Sequence, residues 1–183
     1  QFCLGIAMSL LSIYVMHQAS PNIVDSIVNW METFVEVAHP SFGNMPPCPY
    51  ARQFRLQNKV KIIECHQAIW DECKVQMREW SDEWEAVILA STFKEISIGL
   101  LSERIQKNNK HFRHYDLVAL EDHPDDEELI DGVKMNHGEL VLVVIQRLKR
   151  LNQFSENLQK TKYYHRWSDD NLNDVVRWRF SDS

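Results

Sequence analysis

Cys48 is held between two prolines in Pro47-Cys48-Pro49-Tyr50-Ala51, inside a loop running from His39 to Arg52. A cysteine is nucleophilic as the thiolate, and the nearby cations Arg52 and Arg55 would lower its pKa. His39 stands nine residues before Cys48 and would serve as its base if the loop folds back. Tyr50, Arg52 and Arg55 would then present an aromatic surface and positive charge to a substrate. The competing reading is a rigid plug, in which the prolines pack the thiol as a small hydrophobe.

A second address is Asp122-His123, in the acidic stretch Glu121 to Asp131. It follows a predicted strand, and the C-terminal ends of strands are where α/β sheets place ligands. Asp122 and His123 could work as an acid–base pair, or the carboxylates could hold a divalent cation. The plainer alternative is a solvated run of charge. Soft metal ligands are also present, since Cys65-His66 and Cys73 with Cys48 or His39 would make a zinc set. However, no Cys-x-x-Cys pair exists, and Cys65 and Cys73 fall on apolar positions, so core cysteines and no metal site are expected. His114-Tyr115-Asp116 and His123-Pro124-Asp125, with His165, echo a two-histidine, one-carboxylate iron triad. That triad rides on a jelly-roll barrel, which this chain does not resemble. No motif names a cofactor.

These residues must be positioned by regular elements. Ser20-Pro21 marks a helix start, and Ile23, Ile27, Trp30, Met31, Phe34 and Ala38 follow at helical spacing until His39-Pro40. A loop with four prolines occupies 40–58. Val60 to Cys65 reads as a strand, and a helix with Ile69, Cys73, Met77 and Trp80 on one stripe follows it. Ala86 to Ala90 is an apolar run suited to a strand covered on both faces. Thr92 to Glu95 fits a capping box for a helix through Phe93, Ile96, Leu100 and Ile105. Leu117 to Leu120 and Leu140 to Ile145 are two further strands. Helices follow with Leu148, Leu151, Phe154 and Leu158, and then from a cap at Ser168. His137-Gly138 reads as a turn. Alternating strands and helices imply crossover units.

Two short resemblances attach to the loop. Cys48-Pro49-Tyr50 resembles the start of the glutaredoxin Cys-Pro-Tyr-Cys site, but Ala51 replaces the second cysteine and the motif precedes a strand. Trp30, Cys48-Pro49-Tyr50-Ala51 and the strand at Val60 resemble an uncharacterised bacterial family with a Trp-containing helix leading into a Cys-Pro-Phe-Ala loop. That likeness implies the architecture of about a fifth of the chain and carries no catalytic residue.

With 183 residues, 44% of them hydrophobic, the chain can bury a core without disulfides. Only five glycines occur and none forms a nucleotide-binding pattern. A net charge of −6 and a pI near 5.7 argue against a nucleic-acid partner. Arg52, Arg55, Lys59 and Lys61, and Lys107, Lys110, Arg113 and His114, read as solvated element ends. Cysteines at 3, 48, 65 and 73 fit a reducing, cytoplasmic compartment. The apolar run Phe2–Met16 is shorter than the ~20 residues that cross a bilayer. It also lacks a basic leader, so a buried or oligomer-forming helix is preferred over membrane contact. The aromatic tail, Tyr163-Tyr164-His165-Arg166-Trp167 and Trp178-Arg179-Phe180, either completes the core or meets a protein partner.

The expected fold is a single α/β domain with a mainly parallel or mixed four-stranded sheet flanked by helices. It would occupy 39–183, preceded by a helical segment at 1–38. The expected function is an enzyme acting on a small molecule, with Cys48, His39, Asp122 and His123 as catalytic candidates. Tyr50, Arg52 and Arg55 are the substrate-binding candidates. The alternative is a non-catalytic module that assembles with itself or a protein partner through the apolar N-terminus and aromatic tail.

Overall fold

The computed structural model describes residues 18–93, 95–127 and 129–181. Ala86–Ser91 forms β2, which is buried at every position, because a strand with no polar face has to be covered on both sides. Parallel to it lies β1 (Val60–Glu64), and antiparallel on its other side lies β6 (Val141–Arg147). The edge strand β3 (Leu117–Asp122) pairs antiparallel with β6. The result is a mixed four-stranded sheet in the order β1-β2-β6-β3. A separate hairpin, β4 (Leu129–Ile130) and β5 (Val133–Lys134), turns through Asp131-Gly132 with φ of 50° and 78°. Both values are positive, which is why Asp-Gly suits so tight a turn.

Among the described residues six α-helices surround the sheet: α1 (Pro21–Trp30), α2 (Ala51–Leu56), α3 (Ile69–Arg78), α4 (Ile98–Phe112), α5 (Leu148–Gln159) and α6 (Asp169–Val175). One sheet face, with Ile63, Leu89, Val143 and Ala119, packs on Cys73 and Met77 of α3 and on Leu101, Ile105 and Phe112 of α4. Cys65 and Cys73 belong to this core, and burial pushes both thiols up to about 12. On the second face, Val60, Ile62, Ile88 and Leu142 meet Ile23, Val24 and Ile27 of α1 and Phe54 of α2.

Three local details depart from the sequence-based expectation. The helix after β2 begins at Ile98, where the Ser97 hydroxyl accepts the Leu100 N–H at 3.3 Å, and not at Thr92. The Ser91 hydroxyl has already taken the Phe93 N–H at 3.2 Å, closing a turn where the capping box was expected and leaving Phe93 exposed. The helix from Pro21 widens into a π-helical turn at Met31–Val35, closed by the Glu36 N–H on the Met31 carbonyl at 2.9 Å. The proline-rich stretch is more ordered than a loop. It holds a 3₁₀ turn at Pro40–Phe42 and then α2, with Phe42 fully buried against Ile130 and Tyr163.

Residues 18–38 are continuous with the sheet. The Gln18 N–H reaches the Ile62 carbonyl at 3.0 Å, and the Gln18 carbonyl accepts from Glu64 at 2.9 Å. The run Phe2–Met16, and with it the expected N-terminal interface, lies outside the described residues. Among the described residues no helix is long and apolar enough to cross a membrane.

Gly43 shows how tightly the 39–45 turn is docked. Its φ is 63°, and a methyl group there would come within 2.7 Å of the Lys162 backbone. Gly43→Ala therefore carries both left-handed strain and overlap, together about 2–5 kcal/mol of stability. Gly138 has a φ of 84° but open space around it, so Gly138→Ala costs only the strain, about 1–2 kcal/mol. Equal losses in urea unfolding would show that the turn is not packed on the 160–163 segment.

Candidate functional site

A space of about 940 Å³, partly open to solvent, lies over the second face of the sheet and runs round its β3 edge to α4. Ile88, Val144, Leu120 and Asp122 form its floor. Leu120 and Asp122 are paired across the ladder with Val144 and Leu142, so all four share one face. The cover is aromatic: Trp30, Tyr50, Phe154, Tyr164 and Trp167 line it together with Cys48. Tyr50 stacks on Phe154 with centroids 3.8 Å apart and planes at 16°. The lining continues around β3, the edge strand, to Gln106 and Lys110 of α4. Of the seven residues singled out in the sequence, Cys48, Tyr50 and Asp122 line this space, whereas His39, Arg52, Arg55 and His123 do not.

The Cys48 loop is tied down at several points. Its N–H donates to the Val35 carbonyl, which the π turn presents, at 3.0 Å. The neighbouring Pro47 carbonyl accepts the buried Tyr163 hydroxyl. Arg55 is committed to a two-pronged pair with Glu36 at 2.8 and 2.9 Å and to Glu32 at 2.7 Å. It anchors the loop to the end of the first helix and offers little to a substrate. Arg52 is exposed on α2. His39 accepts the Ser41 N–H on Nδ1 at 3.2 Å and caps the 3₁₀ turn, so it is not brought to Cys48 as a base. Burial raises the Cys48 pKa and outweighs the lowering by the Tyr50 and Ala51 N–H groups, while Glu36 adds repulsion. The thiol stays protonated at neutral pH, the opposite of what a resting nucleophile needs.

At the end of β3, Asp122 and His123 separate: Asp122 is the last strand residue and lines the cavity, whereas His123, just past the strand, is held by the Ile96 carbonyl. His123 is 3% exposed, with Nε2 2.7 Å from the Ile96 carbonyl and Nδ1 accepting the Asp125 N–H at 3.1 Å. Both ring nitrogens are spoken for, and the ring holds the acidic loop together. Asp122 accepts the His137 N–H at 3.0 Å. Burial pushes its carboxyl up to about 7, against the lowering by that N–H and with help from nearby Asp126. The histidine adjoining Asp122 is thus His137. Its ring lies 3.3 Å from the Ser26 hydroxyl and edge-on to Trp30 at 5.4 Å, and burial lowers its pKa. Beside it, the Asn136 amide donates to the His123 and Asp126 carbonyls, both at 2.9 Å. The Asn136 Oδ1 and the indole N–H groups of Trp30 and Trp167 are buried, and each lacks a partner among the described residues.

The tail supplies the rest. Tyr163, Tyr164 and Trp167 pack with Phe42 and Ile130 in a third cluster, so the aromatic run folds back and completes the core. Asp131 clamps this layer, accepting from the Ser41 hydroxyl at 2.8 Å and Arg166 at 3.0 Å. Arg179, 3% exposed, also lines the cavity. Arg179, Asn136 and His137 were missed as site residues because no motif marks them. The available signal was Asp131-Gly132, a hairpin turn that carries the following residues back to the end of β3. Asp116 caps α5 by accepting the Lys149 N–H at 2.8 Å, which gives His114-Tyr115-Asp116 a structural duty. Among the described residues, no three His, Cys, Asp or Glu side chains are grouped to hold a metal ion.

Two outcomes follow. A maleimide reagent should modify Cys48, identified against Cys48→Ala, more slowly than a free thiol at pH 7, with rates still rising above pH 9. Faster-than-free labelling at pH 7 would restore the nucleophile. For Asp122, the native state holds its proton up to about pH 7 whereas the unfolded chain releases it near pH 4. Stability therefore falls as pH rises through that window, by at most about 1.4 kcal/mol per pH unit, and is level above it. Asp122→Asn should remove this slope in urea unfolding from pH 4 to 8. An identical slope in the variant would place the titrating group elsewhere.

No protein-family model matches the chain, and no curated protein or solved structure is significantly similar to it, so the site rests on its own geometry.

Proposed function

We propose that this protein is an enzyme acting on a mainly apolar small molecule held in the cavity over the second sheet face, with Asp122 as the proton-exchanging group. One observation carries this reading: Cys48, Tyr50 and Asp122, distant in sequence, line one space that has an aromatic wall. A cavity of about 940 Å³ is within the usual size of small-molecule sites. Tyr50 stacked on Phe154 offers a flat wall. Asp122, poised near neutrality by burial, is matched to accepting and returning a proton at the pH of the cell. Cys48 acts here as a wall residue. The three described cysteines are free thiols, which supports a reducing, cytoplasmic setting.

The test uses N-phenyl-1-naphthylamine, a neutral fluorophore that brightens in apolar sites. The wild-type protein should bind one equivalent, and Leu120→Trp, which fills the floor of the cavity, should weaken binding at least tenfold. Leu56→Ala, on an exposed position of α2, should leave it unchanged. Bound probe expels water from around Asp122, so the ¹³C NMR titration of its carboxyl should move further upward by about one unit. Absence of probe binding to the folded wild type, or equal binding by Leu120→Trp, would remove the cavity as the site. An unmoved Asp122 titration would remove Asp122 from it.

A further inference from the structure

We infer that the cavity takes a monocarboxylic acid, its carboxylate seated on Arg179 beside Ser155 and its apolar body lying along Phe154, Leu158 and Val144. This rests on the cavity being a ligand site, as proposed above. Arg179 is carried in by the 3₁₀ turn Arg177–Phe180 that follows α6. It is 3% exposed, and among the described residues it forms no ion pair. The contrast with other arginines is informative. Arg55, Arg150, Arg166 and Arg177 pair with carboxylates at 2.7 to 3.0 Å, and all four are more exposed. The most deeply buried of these guanidiniums is the one whose charge is left uncompensated.

Its hydrogen bonds all go to neutral groups: Nε to the Val175 carbonyl at 2.8 Å, one terminal nitrogen to the Ser155 hydroxyl at 2.9 Å, the other to Asn152 Oδ1 at 3.3 Å. A guanidinium has five N–H donors, so two remain. Burial draws its pKa down to about 10, which still leaves it charged at neutral pH. An isolated buried cation is costly unless an anion joins it, and the planar guanidinium suits a carboxylate above other anions. The Ser155 hydroxyl at this corner also bonds Tyr164, giving the anion polar neighbours. Beyond the corner the walls are Phe154, Leu158 and Val144, which recognise hydrocarbon only.

The buried charge favours a carboxylate over a phosphate. Glu121, Asp122, Asp126 and Asp174 line the cavity, as do Lys110 and Arg113, both more exposed than Arg179. Arg179 is the deeply buried cation and carries one charge, which a monoanion matches and a dianion exceeds beside these carboxyl groups. Asp122, protonated through much of the range below neutrality, does not repel it there.

The experiment is displacement of N-phenyl-1-naphthylamine by matched ten-carbon competitors below their aggregation thresholds: decanoic acid, decan-1-ol, methyl decanoate and decyl phosphate. In the wild type, decanoic acid should compete at tenfold or more lower concentration than the alcohol or ester, and ahead of the phosphate. Arg179→Gln should erase the preference for acid over alcohol while leaving alcohol competition in place. Should Arg179→Gln fail to fold, Ser155→Ala is read instead, and it should shrink the preference several-fold. Equal competition by acid and alcohol on a protein that binds probe would overturn the inference and leave the cavity reading standing. A leading phosphate would also overturn it. Absence of probe binding removes both.

Discussion

One buried hydrogen bond joins the two halves of the cover over the second sheet face: the Tyr163 hydroxyl donates to the Pro47 carbonyl, across 116 positions of sequence. A carbonyl shut away from water must find a donor, and Pro47 lies where no strand or helix supplies one. The tyrosine closes that gap. It also places its own ring against Phe42 and Trp167. With the loop and tail joined here, the other ties fall into place around them. Arg55 grips Glu36 at the start of the loop, and Asp131 bridges Ser41 to Arg166 at its far side. Each tie is polar, and each connects segments that hydrophobic packing alone would leave free to slide.

The need for such ties follows from the two sheet faces being covered differently. On the first face, α3 and α4 bring Ile69, Cys73, Leu101 and Ile105 into a close-packed layer, and every one of these is fully buried. Ridges of regular helices can interlock to that density. On the second face α1 and α2 pack the β1 side, while further along it Tyr50 from the loop, Phe154 from α5 and Tyr164 and Trp167 from the tail form an aromatic roof. Large flat rings stacked at 3.8 Å, as Tyr50 and Phe154 are, fill a layer edge to edge but do not reach down between strands. Space is left beneath them. The cavity is thus bounded by a cover that mixes irregular chain with one helix, and flat rings span it.

How much of this was legible in the sequence depended on how local the determining physics is. The four main strands could be read because apolar runs such as Ala86–Ser91 and Val141–Ile145 must be buried wherever they lie. The Ser168 cap could be read because the bond it makes, to Asn171, is three residues away. The mixed direction of the sheet was harder, since pairing of β6 between β2 and β3 is decided by which faces meet across long separations. The site was partly legible. Cys48, Tyr50 and Asp122 stood out by type and setting. Their partners did not: Asp122 neighbours His137 through a main-chain N–H, and any residue but proline could have supplied that group. Arg179 was legible only as part of the aromatic tail, because burial without a counterion is a property of the folded state. His39 and His123 misled for a related reason: His39 Nδ1 is engaged by the Ser41 N–H, and both His123 ring nitrogens are engaged by main-chain groups.

The distribution of unfavourable features argues that the cavity is more than loose packing. An apolar void costs lost contacts, but nothing in that cost draws polar groups toward it. Yet around this one space stand a carboxyl held near neutrality, an uncompensated guanidinium, an unsatisfied amide oxygen and two unpartnered indole N–H groups. Each lowers the stability of the fold, and a packing accident would scatter such penalties through the molecule. Away from the second face the described residues carry fewer such groups, among them the unpartnered Arg104 Nε and the Glu121 carboxyl, raised by burial. Local choices that weaken a fold and converge on one cavity are what a binding site requires, because groups left unsatisfied without ligand are the ones free to recognise it. The close-packed half of this domain and its costly half are the two faces of one sheet, and the proposed chemistry is placed on the second.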